Sequence, residues 1–473
     1  MTRTPPDPLS IVVVGHTNAG KTSLLRTLTR QVDFGQVSDV PGTTRHAEAV
    51  VLRLGGEVLA RFVDTPGLED SVALLEFLGR QPGQARVERV RAFLAGPEAR
   101  GVFEQEAKVL RAMVQGADAG MLVIDTREPV LPKHRAEIEA LTWCARPIMP
   151  VLNFVRAPTS RVRDWHAALR ECNLHARVEF DAVAPFDGSE QRLYTDLAAL
   201  LPTRRAQLQA IAGALAQAAR ERHVAASRIM ADALIDVAAM RRVVSAEDFA
   251  DEGHRRAFVR RFQDEVRRHA RRAVDDLLAL YAFRSGDAEL TDLPDVVGRW
   301  EDDLFNPDAL RQAGARLGLG AMIGAGLGMV ADVALAGLSL GAATTLGATL
   351  GGAASGGWRP LWRKLENRWA GVREMTVEDP VLLLLAERLC TLAGALAQRG
   401  HAAVQALRID GVGAGEAADN AAARELVRTL APARGFAHWE RTAGRAVPDE
   451  ERTRLARALA QQLAACAQPR EQS

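Results

Sequence analysis

The chain has 473 residues, of which 48% are hydrophobic and 25% are charged, and its formal net charge is +1. This composition is typical of a globular protein and excludes intrinsic disorder as the main state. The balance of charges excludes a chain that is polycationic as a whole, and the length favours two or three domains.

The cysteine pattern and the amino terminus bear on the cellular compartment. The four cysteines lie far apart, which excludes a CxxC metal site and a disulfide framework. The segment from Met1 to Ser10 carries three prolines and no apolar core, so it does not match a secretory signal. We therefore expect a cytoplasmic protein, with attachment to the inner membrane as an option considered below.

The first motif follows a run of β-branched residues, Ile11 to Val14, that predicts a strand. The next residues, GHTNAGKT, match the G-x-x-x-x-G-K-[ST] phosphate loop. Its glycines let N–H groups surround phosphate oxygens, its lysine reaches the terminal phosphates, and its hydroxyl binds Mg²⁺. A Gly-rich turn without a nucleotide is the alternative. The predicted nucleotide-binding residues are Gly15, His16, Thr17, Asn18, Ala19, Gly20, Lys21, Thr22 and Ser23, with Lys21 catalytic and Thr22 a Mg²⁺ ligand.

Two further motifs follow in the order that a nucleotide switch requires. The loop PGTTRH contains Thr44, our choice for the residue that closes over the γ-phosphate and completes Mg²⁺ coordination, with Thr43 as the runner-up. The predicted strand from Val58 to Val63 ends in the sequence DTPG. There Asp64 is expected to hold Mg²⁺, and the N–H of Gly67 is expected to sense the γ-phosphate.

These three motifs resemble those of the TrmE-Era-EngA GTPases, the group of Era and MnmE, and the resemblance covers residues 1–202. It implies an α/β doubly wound, Ras-like P-loop GTPase domain that binds GTP or GDP with Mg²⁺. Potassium-activated members carry an asparagine at the position of Asn18, so the resemblance implies K⁺ binding there. A purely structural role of Asn18 in the turn is the alternative. A homodimer through the GTPase domains is one option for the partner.

Two departures from this family pattern concern hydrolysis and base recognition. Leu68 stands where Ras-like enzymes place the water-orienting glutamine, so slow intrinsic hydrolysis is expected. The guanine-reading N-K-x-D element is replaced by the sequence NFVR from Asn153 to Arg156, which lacks the aspartate. Asn153 remains a predicted binding residue, whereas the preference for guanine over adenine stays open. Phe154 and Phe186 are either a sandwich for the base or core residues.

A long segment separates Gly67 from the next predicted strand, Gly120–Asp125. Its apolar spacing predicts amphipathic helices inserted at about 70–115. Under one hypothesis, these helices form a nucleotide-sensitive contact with a partner or a second copy. Under the other, they pack on their own domain.

From residue 203 onward the strand signals stop, which predicts an all-α domain over 203–473. Within it, residues 314–357 are rich in Gly and Ala, with Gly320, Gly324 and Gly328 at the spacing of small-xxx-small packing. A buried Gly/Ala-rich helical hairpin is one interpretation. Insertion into, or contact with, a membrane is the other, and Trp358 beside Arg359 suits an interface. The layout resembles a bacterial family with an Era-like head and a helical tail of unknown function, and loosely resembles inner-membrane GTPases with glycine zippers.

Three functions follow from these motifs. The first is a Mg²⁺-dependent, K⁺-stimulated GTPase whose helical domain transmits the nucleotide state to an unknown effector protein or a membrane surface. The second is a nucleotide-binding module with negligible turnover, and the third is a membrane-acting GTPase. The sequence has no G-x-x-G loop in a mixed α/β setting, so RNA or the ribosome is a less favoured partner.

Overall fold

The computed structural model describes residues 7–29, 48–54, 57–182, 188–281, 304–317, 338–339, 372–398, 416–441 and 449–466. The chain divides into two compact units, of which the first extends to Arg220 and the second begins at Glu221. This division falls within a long helix, Arg205–Ala239. The boundary expected from the sequence, between 202 and 203, lies directly before that helix.

The first unit is built on a six-stranded sheet in the order β2-β3-β1-β4-β5-β6. All neighbouring pairs are parallel except β2 with β3, and this order confirms the predicted doubly wound α/β fold. The last strand, Val178–Glu179, has two residues. The strands are β1 Leu9–Val14, β2 Glu48–Leu54, β3 Glu57–Asp64, β4 Ala119–Asp125, β5 Ile148–Asn153 and β6 Val178–Glu179.

Strand β1 shows why the sheet needs helices on both faces. Successive side chains of a strand point to opposite faces, so Ile11 and Val13 enter one hydrophobic cluster while Val12 and Val14 enter another. All four are buried. A strand that is apolar on both faces is typical of a parallel sheet covered by helices on each side.

Helices of the first unit connect these strands and form an insertion. The cluster around Val12 also contains Leu74, Val90 and Met113 of the insertion, which therefore packs on its own domain. The helices are α1 Lys21–Thr29, α2 Ser71–Gly79, α3 Arg86–Ala95, α4 Glu104–Gly116, α5 Pro132–Thr142, α6 Val162–Glu171, α7 Ser189–Leu200 and α8 Arg205–Ala239.

The second unit is helical and includes the end of α8. Its helix α10, Glu252–Leu280, is amphipathic, because Val259, Phe262 and Val266 are buried on one face. The unit adds a three-stranded antiparallel sheet in the order β7-β9-β8, which the helical periodicity did not indicate. Its elements are β7 Arg241–Ser245, α9 Ala246–Ala250, α10 Glu252–Leu280, α11 Pro307–Arg316, β8 Leu338–Ser339, β9 Val372–Val377, α12 Asp379–Gln398, α13 Glu416–Leu430 and α14 Glu450–Cys466.

Two segments of the second unit bear on the membrane hypothesis. The Gly-rich residues 314–357 lie outside the described residues except for 314–317 and 338–339, so the predicted hairpin is not tested. Of the helices that the structure describes, one, Asp379–Ala397, is long and apolar enough to cross a membrane. It is 61% buried within the structure and contributes Leu382 and Leu385 to the core of its unit. A core helix passes the same test of length and apolarity, so this finding does not favour a membrane.

Candidate nucleotide-binding site

The phosphate loop joins β1 to α1 with the backbone that its glycines permit. Gly15 has φ +145° and Gly20 has φ +88°, a region that side-chain-bearing residues rarely adopt. A Cβ on Gly15 would lie 2.4 Å from Val123 O. Asn18 also has a positive φ, 67°, which asparagine tolerates better than most residues. The backbone conformation of the turn is therefore sufficient to explain an asparagine at position 18, and K⁺ binding by Asn18 stays a prediction.

Lys21 begins helix α1 with its ammonium folded back over the loop. Its Nζ donates to Gly15 O and His16 O, each at 3.0 Å, and the side chain is buried. Burial lowers the pKa of Lys21, while the nearby carboxylates of Asp64 and Glu137 oppose that shift. The lysine is thus positioned at the centre of the loop, as the motif predicts.

The two predicted Mg²⁺ ligands of this region meet across the end of β3. Thr22 Oγ1 donates to Asp64 Oδ2 at 2.7 Å, although the residues are far apart in sequence. Hydroxyl and carboxylate oxygens are the donors that Mg²⁺ prefers, with phosphate oxygens completing its shell. The donor set fits this ion. Among the described residues, no group of three or more His, Cys, Asp or Glu side chains is arranged to hold a metal without a nucleotide.

The segment after Asp64 lies directly against the phosphate loop. Thr65 Oγ1 donates to Val13 O at 2.7 Å, which fixes the segment to β1. A Cβ on Gly67 would lie 2.4 Å from Thr17 Oγ1 and 2.6 Å from Thr17 N. Only glycine fits there, so the predicted phosphate-sensing residue is in van der Waals contact with the phosphate loop.

Leu68 occupies the glutamine position and is fully buried. Its side chain lies in the cluster that contains Val12, which directs it into the core. The backbone of Leu68 forms a parallel bridge with His16, and His16 Nδ1 donates to Leu68 O at 2.9 Å. Leu68 therefore cannot orient a water molecule, as the sequence predicted.

Three residues that the sequence reasoning missed lie around His16. Lys133 Nζ donates to His16 Nε2 at 2.8 Å, and His134 contacts the same ring edge-on. Glu137 is buried close to Lys21 and Lys133, and its Oε1 has no hydrogen-bond partner among the described atoms. Burial raises the pKa of Glu137 to about 8, although the two lysines lower it.

A cavity of about 20 Å³ lies between the phosphate loop and the His134 and Glu137 side chains. Such a volume suits about one water molecule. Helix α5 supplies Lys133, His134 and Glu137, which face the phosphate loop because of tertiary packing. No motif in the sequence marks them. The residues that line the cavity include His16, Thr17, Glu128, His134, Glu137 and Trp165.

Asn153 connects three loops at the carboxyl edge of the sheet. Its Nδ2 donates to Ala19 O at 3.0 Å, and its Oδ1 accepts from Ala182 N and Phe154 N, each at 2.9 Å. It is fully buried. The structure therefore brings Asn153 to the phosphate loop, as predicted, where it holds the loops together.

The remaining predicted residues are placed as follows. Ser23 is buried in the first turn of α1. Arg156, at the position of the missing aspartate, is exposed, and its backbone N donates to Asp181 Oδ2 at 3.4 Å. Thr43, Thr44 and Phe186 lie outside the described residues, so their predicted roles are not tested.

Two family models match the chain. A model described as a 50S ribosome-binding GTPase matches residues 10–154, and a model described as a domain of unknown function, DUF3482, matches residues 166–461. The second match covers more than half of the chain.

Similar proteins share the first domain. The chain is 31% identical over 121 residues to the tRNA modification GTPase MnmE of Geobacillus kaustophilus, which covers 26% of each protein. It is 36% identical over 147 residues to MnmE of Acidiphilium cryptum, covering 28% of this chain and 34% of that protein. The chain thus spans about a quarter to a third of these relatives.

Among solved structures, an Aquifex aeolicus Era variant bound to GDP and aluminium fluoride matches with a TM-score of 0.30 and 21% identity, over 41% of this chain and 56% of that chain. The two family models and the motifs of the first domain together assign the protein: it belongs to the DUF3482 family, with a P-loop GTPase domain of the MnmE and Era type at its amino-terminal end.

Proposed function

We propose that this chain hydrolyses GTP to GDP and phosphate as a nucleotide switch. The observation that carries the proposal is the convergence of Lys21, Thr22 and Asp64 on the phosphate loop. Each residue type suits one part of phosphoryl transfer, and their order in the chain is that of a P-loop enzyme.

The chemistry divides among these residues. Backbone N–H groups of the loop bind phosphate oxygens, and Lys21 stabilises the charge that develops between the β- and γ-phosphates. Thr22 and Asp64 would hold Mg²⁺, which when bound neutralises charge on the phosphate oxygens. Leu68 is buried and contributes nothing to water positioning. The proposed enzyme is therefore slow unless K⁺ or a partner completes the site.

The helical insertion is our candidate for the element that reports the nucleotide state. Glu106, buried in α4, accepts hydrogen bonds from the backbone N of Glu69 and Asp70 at 3.2 and 3.1 Å. These residues follow Gly67 and Leu68 in the chain. A displacement of Gly67 by the γ-phosphate would therefore act on α4 through these two hydrogen bonds, which supports transmission to an effector.

The test measures phosphate release from the full chain with GTP and with ATP, each in KCl and in NaCl. We expect turnover with GTP that is faster in KCl, and loss of turnover in Lys21→Ala. Asn18→Gly is the matched variant for K⁺, because glycine keeps the positive φ while the amide is removed. It should lower the rate in KCl to that in NaCl.

Other outcomes contradict particular parts of the proposal. Equal rates in the two salts would contradict the K⁺ role of Asn18. Nucleotide binding without turnover in any condition would contradict hydrolysis and leave the binding module as the function.

A further inference from the structure

Phe154 has a backbone conformation that aromatic residues rarely adopt. Its φ is +57°, in the left-handed region that costs a side-chain-bearing residue roughly 1–2 kcal/mol. The buried amide of Asn153 holds this conformation, because its Oδ1 accepts from Phe154 N at 2.9 Å. Bulky residues in this region are genuine outliers, and such strain tends to mark functional positions.

The ring of Phe154 extends to the end of the phosphate loop. Its Cζ lies 3.3 Å from the place where a Cβ on Gly20 would stand. Gly20 directly precedes Lys21, so the ring is adjacent to the residues that bind phosphate. Phe154 as a whole is half-buried.

Arg127 covers one face of this ring. Its guanidinium carbon lies 3.8 Å from the ring centroid, the geometry of a cation–π contact. Asp125 holds Arg127 in place, accepting from Nη2 at 2.7 Å and from Nε at 3.0 and 3.2 Å. Arg127, which Asp125 holds in place, therefore restricts the position of the Phe154 ring.

The loops that carry the pair are joined to each other. Thr126 Oγ1 donates to Asn153 O at 2.7 Å, and Thr126 N donates to the same oxygen at 3.1 Å. These bonds connect the residue beside Arg127 with the residue beside Phe154. The pair thus forms a preorganised surface at the carboxyl edge of β4 and β5, where α/β sheets bind ligands.

We propose that Phe154, supported by Arg127, is the residue on which the purine base of the bound nucleotide stacks. The inference rests on the proposed nucleotide site and deepens it. Position 156 offers no carboxylate to accept the guanine N1 and N2 protons, so affinity for the base requires another source. Stacking on the ring of Phe154 supplies it, since every purine has a π-face.

The test separates recognition of the base from recognition of the phosphates. Calorimetric titration of the full chain with Mg-GDP and with Mg-tripolyphosphate measures both. Phe154→Ala should weaken GDP binding by roughly five- to a hundredfold, the range expected for one stacked base, and leave tripolyphosphate within about twofold. Phe154→Tyr should retain GDP affinity, and Phe154→Leu, which fills similar space without an aromatic face, should not.

Several results would overturn the inference. Unchanged GDP affinity in Phe154→Ala would do so, as would an equal loss for GDP and tripolyphosphate, which indicates a structural role of Phe154 in the phosphate loop. Wild-type chain that binds tripolyphosphate but gains no affinity from the base of GDP also contradicts it. If the wild type binds neither ligand, the proposed function itself fails, so the two failures are distinguishable.

Discussion

The hydroxyl of Thr22 lies 2.7 Å from Asp64 Oδ2, which joins the start of α1 to the end of β3. The two residues come from separate motifs, and each was predicted to bind Mg²⁺. Their contact shows that one ion can reach both oxygens through direct or water-mediated coordination.

Thr22→Val should therefore weaken the effect of Mg²⁺ on nucleotide binding. We expect Mg²⁺ to slow GDP release from the wild type, and the variant to lose roughly tenfold or more of that effect, because a charge-assisted contact of this kind contributes about 1.5–3 kcal/mol. Thr29→Val is the control, since Thr29 Oγ1 donates within its own helix, to Leu25 O at 2.7 Å. The measurement is the rate of GDP release from each protein with Mg²⁺ and with EDTA. An equal effect of Mg²⁺ in Thr22→Val and wild type would contradict the ligand assignment.

Gly67→Ala should disturb the contact between Gly67 and the phosphate loop. The added Cβ meets backbone atoms of Thr17 at 2.6 and 2.7 Å, which cannot move as a side chain can. We expect a loss of about 1–3 kcal/mol in unfolding free energy, typical of overpacking, and slower phosphate release. Gly116→Ala is the matched control, because nothing lies within 4 Å of its added Cβ. Urea unfolding and phosphate release measure the two effects, and wild-type behaviour of Gly67→Ala would refute the close packing.

Leu68→Gln should not restore the glutamine-dependent hydrolysis of Ras-like enzymes. Leu68 is fully buried among apolar residues, so the amide either remains unsatisfied or displaces the segment. A buried unsatisfied polar group costs about 1–3 kcal/mol, which we expect as lost stability in urea unfolding. Leu68→Met, which nearly conserves volume, should cost less than about 1.5 kcal/mol. A faster rate of phosphate release in Leu68→Gln would show that this side chain reaches the nucleotide.

Sequence motifs predicted the part of the site that depends on local order. The phosphate loop follows a β-branched strand, and the DTPG motif ends a neighbouring one, so parallel strand pairing alone brings Lys21, Thr22 and Asp64 together. The same reasoning placed Asn153 at this edge. Local order thus accounts for both the sheet and the phosphate-binding residues.

The sequence did not predict the site residues whose positions depend on tertiary packing. Glu137 and Lys133 face the phosphate loop only because α5 packs beside it, and a glutamate on a polar helix carries no signal of burial. Arg127 was accessible to prediction, since it follows the end of β4 at the carboxyl edge of the sheet. In the small sheet of the second unit, β7 pairs with β9, which is distant in sequence. The helical periodicity of the surrounding residues gave no indication of these short strands.

Glu440 provides a pH-dependent contribution to the stability of the second unit. Arg242 donates to its two carboxylate oxygens at 2.8 and 2.7 Å, and His269 Nε2 lies 3.2 Å from Oε1. Burial opposes the charge of Glu440, yet its hydrogen bonds with Arg242 and His269 lower its pKa to about 2. The native state thus binds this proton more weakly than the unfolded chain, whose pKa is near 4.5.

Because the folded pKa is the lower one, stability from Glu440 is complete above pH 4.5 and is lost as the pH falls toward 2. Glu440→Gln should lower the urea midpoint at pH 6, because it removes the charge that Arg242 Nη1 and Nη2 contact, while Glu265 still accepts from Arg242 Nε at 2.6 Å. It should also reduce the dependence of that midpoint on pH between about 6 and 3. Glu425→Gln is the control, since Glu425 forms an exposed pair with Arg428 of little energetic value. Tryptophan fluorescence of the full chain in urea at each pH gives the midpoints. Parallel pH profiles for wild type and Glu440→Gln would show that other carboxylates govern acid unfolding.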